Sequence, residues 1–137
     1  MKYIINTDKL PSATELLNLF SQTTWANKRS IEGIEALLAK TDVCITIWNK
    51  DQLIGFGRAI TDGTYRALID DVIIDEKYRG EGLGGMIIKN LKEQLKEVEE
   101  IFLNTDEHLE EFYKKYGFEK VKCLTMVNHL KYELKKK

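Results

Sequence analysis

The sequence is poor in the residues that mark several large protein classes. Two cysteines, Cys44 and Cys123, in 137 residues are too few for a disulfide scaffold and too far apart for a zinc site. The two histidines, His108 and His129, lack metal-ligand spacing, so no metal is expected. No apolar run approaches the roughly 20 residues of a membrane span. The opening Met1-Lys2-Tyr3-Ile4-Ile5-Asn6-Thr7 has no signal-peptide h-region. Charge of neither sign dominates: 21 Lys+Arg stand against 22 Asp+Glu, which argues against a nucleic-acid partner. What remains is 43% hydrophobic and 31% charged, a globular balance at a length that fits one domain over residues 1–137. The reading is a reduced, cytoplasmic protein.

The periodicity alternates between helical and extended. The one proline, Pro11, reads as just inside a first helix that continues through Phe20. Ser30 caps a second helix over residues 30–40, with Ile31, Ile34, Leu37 and Leu38 on one stripe. Three strands follow, over residues 43–48, 53–60 and 65–74, joined by the turns Asn49-Lys50-Asp51-Gln52 and Thr61-Asp62-Gly63-Thr64. They form an antiparallel meander. A long amphipathic helix over 83–98 then leads to Ile101-Phe102-Leu103. A helix between two strands predicts a right-handed crossover and one parallel pair. A short helix over 107–116 ends at Gly117. Residues 121–134 read as one or two closing strands, and Lys135-Lys136-Lys137 as a solvated tail. The fold class is α+β with a mixed sheet.

Arg79-Gly80-Glu81-Gly82-Leu83-Gly84-Gly85 carries the chemistry. Four glycines in six residues let backbone N–H groups face one concavity at a helix N-terminus, which suits a phosphate or pyrophosphate. Gly84-Gly85-Met86 fails the Walker test of Gly-Lys-Ser/Thr. Gly80, Gly82 and Gly85 match G-x-G-x-x-G literally. However, residues 75–79 intervene after the strand, where a dinucleotide site has its glycines at once.

Arg79-x-x-Gly82-x-Gly84 matches the R/Q-x-x-G-x-G/A signature of GNAT-superfamily N-acetyltransferases. Phe112-Tyr113-Lys114-Lys115-Tyr116-Gly117-Phe118 resembles the family's F-Y-x-x-x-G-F segment, and the order of elements corresponds. From about Trp25 to Val127 the chain is similar to small bacterial members and to the plastid arylalkylamine and protein-lysine acetyltransferase branch. Glu76 departs from a common proline, and Asp70 stands where the plant branch tends to have a bulky aromatic, so the acceptor is not carried over. The resemblance implies the acyl-CoA N-acyltransferase fold, acetyl-CoA as co-substrate and an amine-bearing acceptor. The acceptor is a small molecule or the lysine or N-terminal amine of a protein. It implies direct transfer in a ternary complex; a CoA-binding sensor that lost catalysis is the alternative. A homodimer is compatible with it, and no membrane partner is expected.

The resemblance also assigns residues. Arg79, Gly80, Glu81, Gly82, Leu83, Gly84 and Gly85 would hold the pyrophosphate, and Val72, Ile73 and Ile74 would pair with the pantetheine arm. Asn104 either hydrogen-bonds that arm or simply ends its strand. An alkylamine with a pKa near 10.4 is protonated at neutral pH and needs a base. Asp71 is the candidate, with Asp70 beside it on the acceptor side. Both could instead shape a β-bulge, and without a bulge they point to opposite faces. Tyr113 would protonate the departing thiolate, with Tyr116 in reserve. Trp25 lines the acceptor pocket or anchors its loop. Arg58 is expected to pair with an acid on a neighbouring strand. Cys44 is expected in the core, and Cys123 has no histidine or acid beside it to activate it.

Overall fold

The computed structural model of the protein describes residues 2–130. Its first element, β1 (Ile4–Asn6), is a short edge strand. Ser12 then caps α1 (Ala13–Phe20) through a reciprocal capping box with Glu15. Pro11 therefore sits before the cap, not inside the helix. Ser30 caps α2 (Ile31–Ala39) by accepting from the Gly33 N–H. The meander is β2 (Val43–Asn49), β3 (Gln52–Thr61) and β4 (Arg66–Ile74). A 3-10 turn at Glu76–Tyr78 leads to α3 (Leu83–Gln94), then to β5 (Glu100–Phe102), a second 3-10 turn at Glu107–Leu109 and α4 (Glu110–Lys114).

The five strands lie in chain order, β1-β2-β3-β4-β5. All neighbours are antiparallel except β4 and β5, which are parallel across the α3 crossover. The sheet has a core on each face. Ile45, Ile47, Ile54 and Ile69 pack with Ile87, Ile88 and Leu91 of α3. On the other face Phe56, Trp48 and Ile73 pack with Leu16, Leu19, Phe20 and Ile34 of α1 and α2. Ala67 and Ile69 are buried while Leu68 between them is only half-buried, the period-two signature of a strand on a core.

Besides the position of Pro11, three features differ from expectation. β1 was not anticipated, because three residues carry too little periodicity to declare a strand. The third helix stops at Gln94 rather than residue 98: Leu95 N–H is shared between the carbonyls of Leu91 and Lys92, and the chain turns back so that Glu99 and Glu100 N–H reach Thr64 and Tyr65. Residues 121–130 form no strand, although they are rich in apolar residues. Composition can suit a segment to a sheet, but the strand exists only when a neighbour takes its N–H and C=O groups. Residues 131–134 and the Lys135-Lys136-Lys137 tail lie outside the described residues.

Candidate active site

Parallel pairing between β4 and β5 covers only Arg66↔Glu100, Ala67↔Ile101 and Leu68↔Phe102. Beyond that the two strands part. The opening holds a cleft of about 390 Å³ whose walls include Trp25, Asp70, Asp71, Val72, Asn104 and Tyr113. Six residues singled out in the sequence thus meet in one place.

A bulge explains how two consecutive aspartates share it. On β3 and β4, Phe56 pairs with Ile73 but Arg58 pairs with Asp70, so Gly57 faces two residues. Asp71 takes up the extra residue with φ +55°, a left-handed conformation that Asp tolerates better than most side chains. Alternation is broken there, and both side chains reach the cleft region. Their surroundings differ sharply. Asp71 is buried, and its Oδ2 accepts from Arg29 Nη1 at 2.9 Å and Arg58 Nε at 2.6 Å. Its Oδ1 is buried without a hydrogen-bond partner among the described residues. The Asp70 side chain is 44% exposed and 3.5 Å from Arg58 Nη2. Partial burial and the neighbouring Asp71 charge raise its pKa above the usual carboxylate value. Arg58 pairs with acids on the adjacent strand, as expected.

Tyr113 and Tyr116 separate as clearly. Tyr113 lines the cleft, and burial raises its phenol pKa, which keeps the proton on. Tyr116 packs over the first turn of α3, where a Cβ at Gly85 would collide with its hydroxyl. Gly85 is required by that close approach.

Past Ile74 the chain enters the glycine loop. Asp75 is buried and caps the 3-10 turn through Lys77 N–H. Gly80 and Gly82 have φ of +82° and +80°, and nothing stands within 4 Å of where their Cβ atoms would be. The loop is fixed from outside its concavity: Tyr3 Oη donates to Glu81 Oε1 at 3.1 Å, Tyr78 Oη accepts from Asn49 Nδ2 at 3.0 Å, and Arg79 Nε donates to the Ile74 carbonyl at 3.1 Å. The backbone N–H groups of Arg79, Gly80, Glu81 and Gly82 donate to no other described residue. They stand at the start of α3, whose capping residue, Gly82, offers no side-chain acceptor. These residues fit a pyrophosphate: open donors, a helix N-terminus and a cradle that side chains would fill.

The family model described as acetyltransferase (GNAT) domain matches residues 13–133. The protein belongs to the GNAT acetyltransferases. It is 32% identical over 120 residues to the uncharacterized N-acetyltransferase ycf52 of Pyropia yezoensis, covering 83% of this chain and 68% of that protein. It is 37% identical over 70 residues to the GCN5-related N-acetyltransferase 2, chloroplastic, of Arabidopsis thaliana, covering 50% of this chain and 27% of that one. A crystal structure of a Staphylococcus aureus protein described as a probable acetyltransferase superposes with a TM-score of 0.81 at 24% identity, covering 95% of this chain and 99% of that one. That likeness speaks to the GNAT fold, with its mixed sheet and one parallel pair.

The remaining candidates of this GNAT chain lie as follows. Leu83 is buried, so it enters the loop region through its backbone. Ile73 points into the α1/α2 core and Ile74 packs toward α3. Asn104 Oδ1 accepts from Thr125 Oγ1 at 2.8 Å. Cys44 is buried, and burial pushes its thiol pKa up; Cys123 is exposed.

Three residues escaped the sequence reading. Arg29 anchors the α1–α2 connection to Asp71, and its guanidinium lies 4.6 Å from the Phe20 ring centre and 5.9 Å from that of Trp25. Gln22 holds the other end: its Nε2 donates to Asp75 Oδ2 at 3.2 Å and its Oε1 accepts from Glu76 N–H at 2.9 Å. Tyr3 braces the glycine loop. No local signal marks any of them, because each acts across 42 or more residues.

Proposed function

We propose that this acetyltransferase moves the acetyl group of acetyl-CoA to a primary amine by direct attack in a ternary complex. The amine belongs to a small molecule or to a lysine or N-terminus of a protein. One observation carries the reading: the parting of β4 and β5 exposes Asp70 and Tyr113 to one cleft, on the strand that leads into four unpaired N–H donors.

Residues 79–85 would hold the pyrophosphate, and the free edge of β4 beyond Ile69, with Val72 on the wall, would hold the pantetheine arm in strand fashion. Acetyl-CoA, when bound, supplies an acyl thioester. Asp70, in place of the Asp71 expected from the sequence, takes a proton from the acceptor ammonium, because the Asp71 carboxylate is buried on two guanidinium groups. The raised pKa of Asp70 makes it a better base than an ordinary carboxylate. The amine nitrogen then bonds to the acyl carbon, the C–S bond breaks, Tyr113 Oη gives its proton to the leaving sulfur, and the nitrogen sheds its second proton as the amide forms, which returns the Tyr113 phenolate to the phenol. β4 N–H groups facing the opening stabilise the charge that develops on the acyl oxygen. Asp71, held by two guanidinium groups, positions this machinery. Trp25, 56% exposed on the cleft wall, offers a ring face to the acceptor. The buried, high-pKa Cys44 supports direct attack over a cysteine-bound acyl group.

The test is thiol release from acetyl-CoA across a panel of arylalkylamines, polyamines, aminoglycosides and lysine peptides. The expected result is turnover with at least one amine, retained in Cys44→Ala/Cys123→Ala, and no acetyl adduct when the enzyme meets acetyl-CoA alone. Tight acetyl-CoA binding without turnover on any amine would leave the sensor reading standing. A discharged adduct on Cys123 would replace the ternary complex with a two-step route.

A further inference from the structure

Glu81 is a carboxylate set in the middle of a loop that suits anions. Gly80 and Gly82, both at positive φ, flank it, so the backbone on either side has the widest freedom a chain can have. The first turn of α3 follows at once, and Gly82 gives it no side-chain cap. The open N–H groups of a first turn are natural partners of an acidic side chain. An unrestrained Glu81 is therefore a built-in competitor. Folded back onto the donors of its own loop, it would stand where the pyrophosphate belongs.

In the structure the Glu81 side chain is turned toward Tyr3 instead. Tyr3 Oη donates to Glu81 Oε1 at 3.1 Å and lies 3.4 Å from Oε2. Among the described residues no other side chain bonds to that carboxylate. The two residues are 78 positions apart in the chain. Tyr3 is itself firmly placed. It directly precedes β1, is buried in the core under α3, and meets the Tyr78 ring edge-on at 5.6 Å between centres. Tyr78 is tied in turn to Asn49 at the end of β2. Burial, then the bond to Glu81, raise the Tyr3 phenol pKa, so the hydroxyl keeps the proton that it donates.

We propose that Tyr3 is a positioning residue for acetyl-CoA: its hydroxyl holds the Glu81 carboxylate out of the glycine loop and leaves the loop's N–H donors open for the pyrophosphate. This rests on residues 79–85 holding the pyrophosphate. Glu81 then has two opposed parts. Its backbone N–H belongs to the cradle, and its side chain is the group that must be kept away. The edge strand β1 gains a role in binding as well, because it carries the hydroxyl to the loop.

Titration calorimetry with acetyl-CoA, alongside KM and kcat, tests this. Tyr3→Phe keeps the buried ring and its contact with Tyr78 and loses only the hydroxyl. It should keep its circular dichroism and bind acetyl-CoA about tenfold more weakly. KM for acetyl-CoA should rise in step, and kcat should not fall. Tyr3→Phe/Glu81→Gln should recover most of the affinity, because glutamine keeps the backbone N–H and lacks the negative charge. Glu81→Gln alone should change affinity much less than it does in the Tyr3→Phe background, since the wild-type carboxylate is already held away. A tyrosine that merely stiffened the loop would not give that pattern: the loop would stay slack whether or not residue 81 were charged. Tyr3→Phe binding as tightly as wild type, or binding weakly with no recovery in the double variant, would overturn the role of Tyr3 and leave the pyrophosphate site standing. A wild type that binds no acetyl-CoA would overturn both.

Discussion

The glycine loop and the cleft, the donor and acceptor halves of the proposed site, are built from different material. The donor half is backbone: residues 79–82 offer N–H groups, and glycine dihedral angles aim them. The acceptor half is a network of long side chains, in which Arg29, Arg58, Asp70 and Asp71 join α1–α2 to β4, and Gln22 ties the same connection to the start of the glycine loop. Backbone recognition is written in local spacing, because a glycine at the right place is the whole requirement. A side-chain network is written in pairs distant in the chain, and its members look ordinary one at a time. The donor half therefore rests on local spacing, while the acceptor half can change without disturbing it.

The sharpest way to break that contrast is to spoil the backbone cradle alone. Gly82→Glu places a side chain in a left-handed conformation, at a cost of about 1–2 kcal/mol, and a negative charge beside the pyrophosphate. The rise in Tm produced by acetyl-CoA should disappear. Gly63→Glu is the control: its φ of +79° matches that of Gly82, and it too has open space, but it lies in the β3–β4 turn. It should bear similar strain and keep the acetyl-CoA shift. An equal loss in both variants would mean that strain, not the cradle, governs binding.

Chemistry comes next in size. Tyr113→Phe should lower kcat by about 10²–10⁴-fold, the range for removing a general acid, with acetyl-CoA affinity unchanged. Tyr116→Phe, whose hydroxyl rests on Gly85, should stay within about tenfold of wild type. Sequence spacing left these two tyrosines as alternatives. The structure separates them by placing one on the cleft and the other on a helix. If Tyr116→Phe is the dead variant, the acid assignment moves with it.

What was legible follows the same division. The meander, the crossover, the Ser30 cap and the glycine loop depend on residues within a few positions of one another, and each is where its local pattern places it. Gathering Trp25, Asp70, Asp71, Asn104 and Tyr113 into one site depended on family resemblance, since no periodicity brings residue 25 to residue 113. The opposite fates of Asp70 and Asp71 were illegible altogether. Adjacent identical residues carry no local difference; what separates them is a bulge and two arginines from elsewhere in the chain. β1 was too short to declare itself. Residues 121–130 are rich in apolar residues but pair with no strand among the described residues.

Arg29 is the place to loosen the acceptor half alone. Arg29→Ala removes a charge-assisted hydrogen bond worth about 1.5–3 kcal/mol, part of which Arg58 retains by still facing Asp71 Oδ2. The α1–α2 connection with Trp25 should be held less firmly. KM for the acceptor should rise about tenfold, while the acetyl-CoA shift in Tm stays. An increase in KM for acetyl-CoA instead would show that the halves are coupled, with Gln22 and Asp75 as the connection.

The smallest effect is the one with an unexpected sign. Partial burial, then the charge of Asp71, raise the Asp70 pKa above its unfolded value near 3.9. Between those two values the folded chain binds more protons than the unfolded one, so stability falls as pH rises through the folded pKa. Asp70→Asn removes that fall. The variant should match wild type in relative stability below about pH 3.9 and gain on it at neutral pH. Because the side chain is 44% exposed, solvent screening keeps the gain below about 1 kcal/mol. The same substitution should abolish the acidic limb of the kcat/KM profile and most of the turnover. A more stable, less active variant is the signature of a carboxylate kept charged for chemistry against its surroundings. A loss of stability at neutral pH would instead make the Arg58–Asp70 pair the dominant contact, and Asp70 a structural partner of the clamp around Asp71.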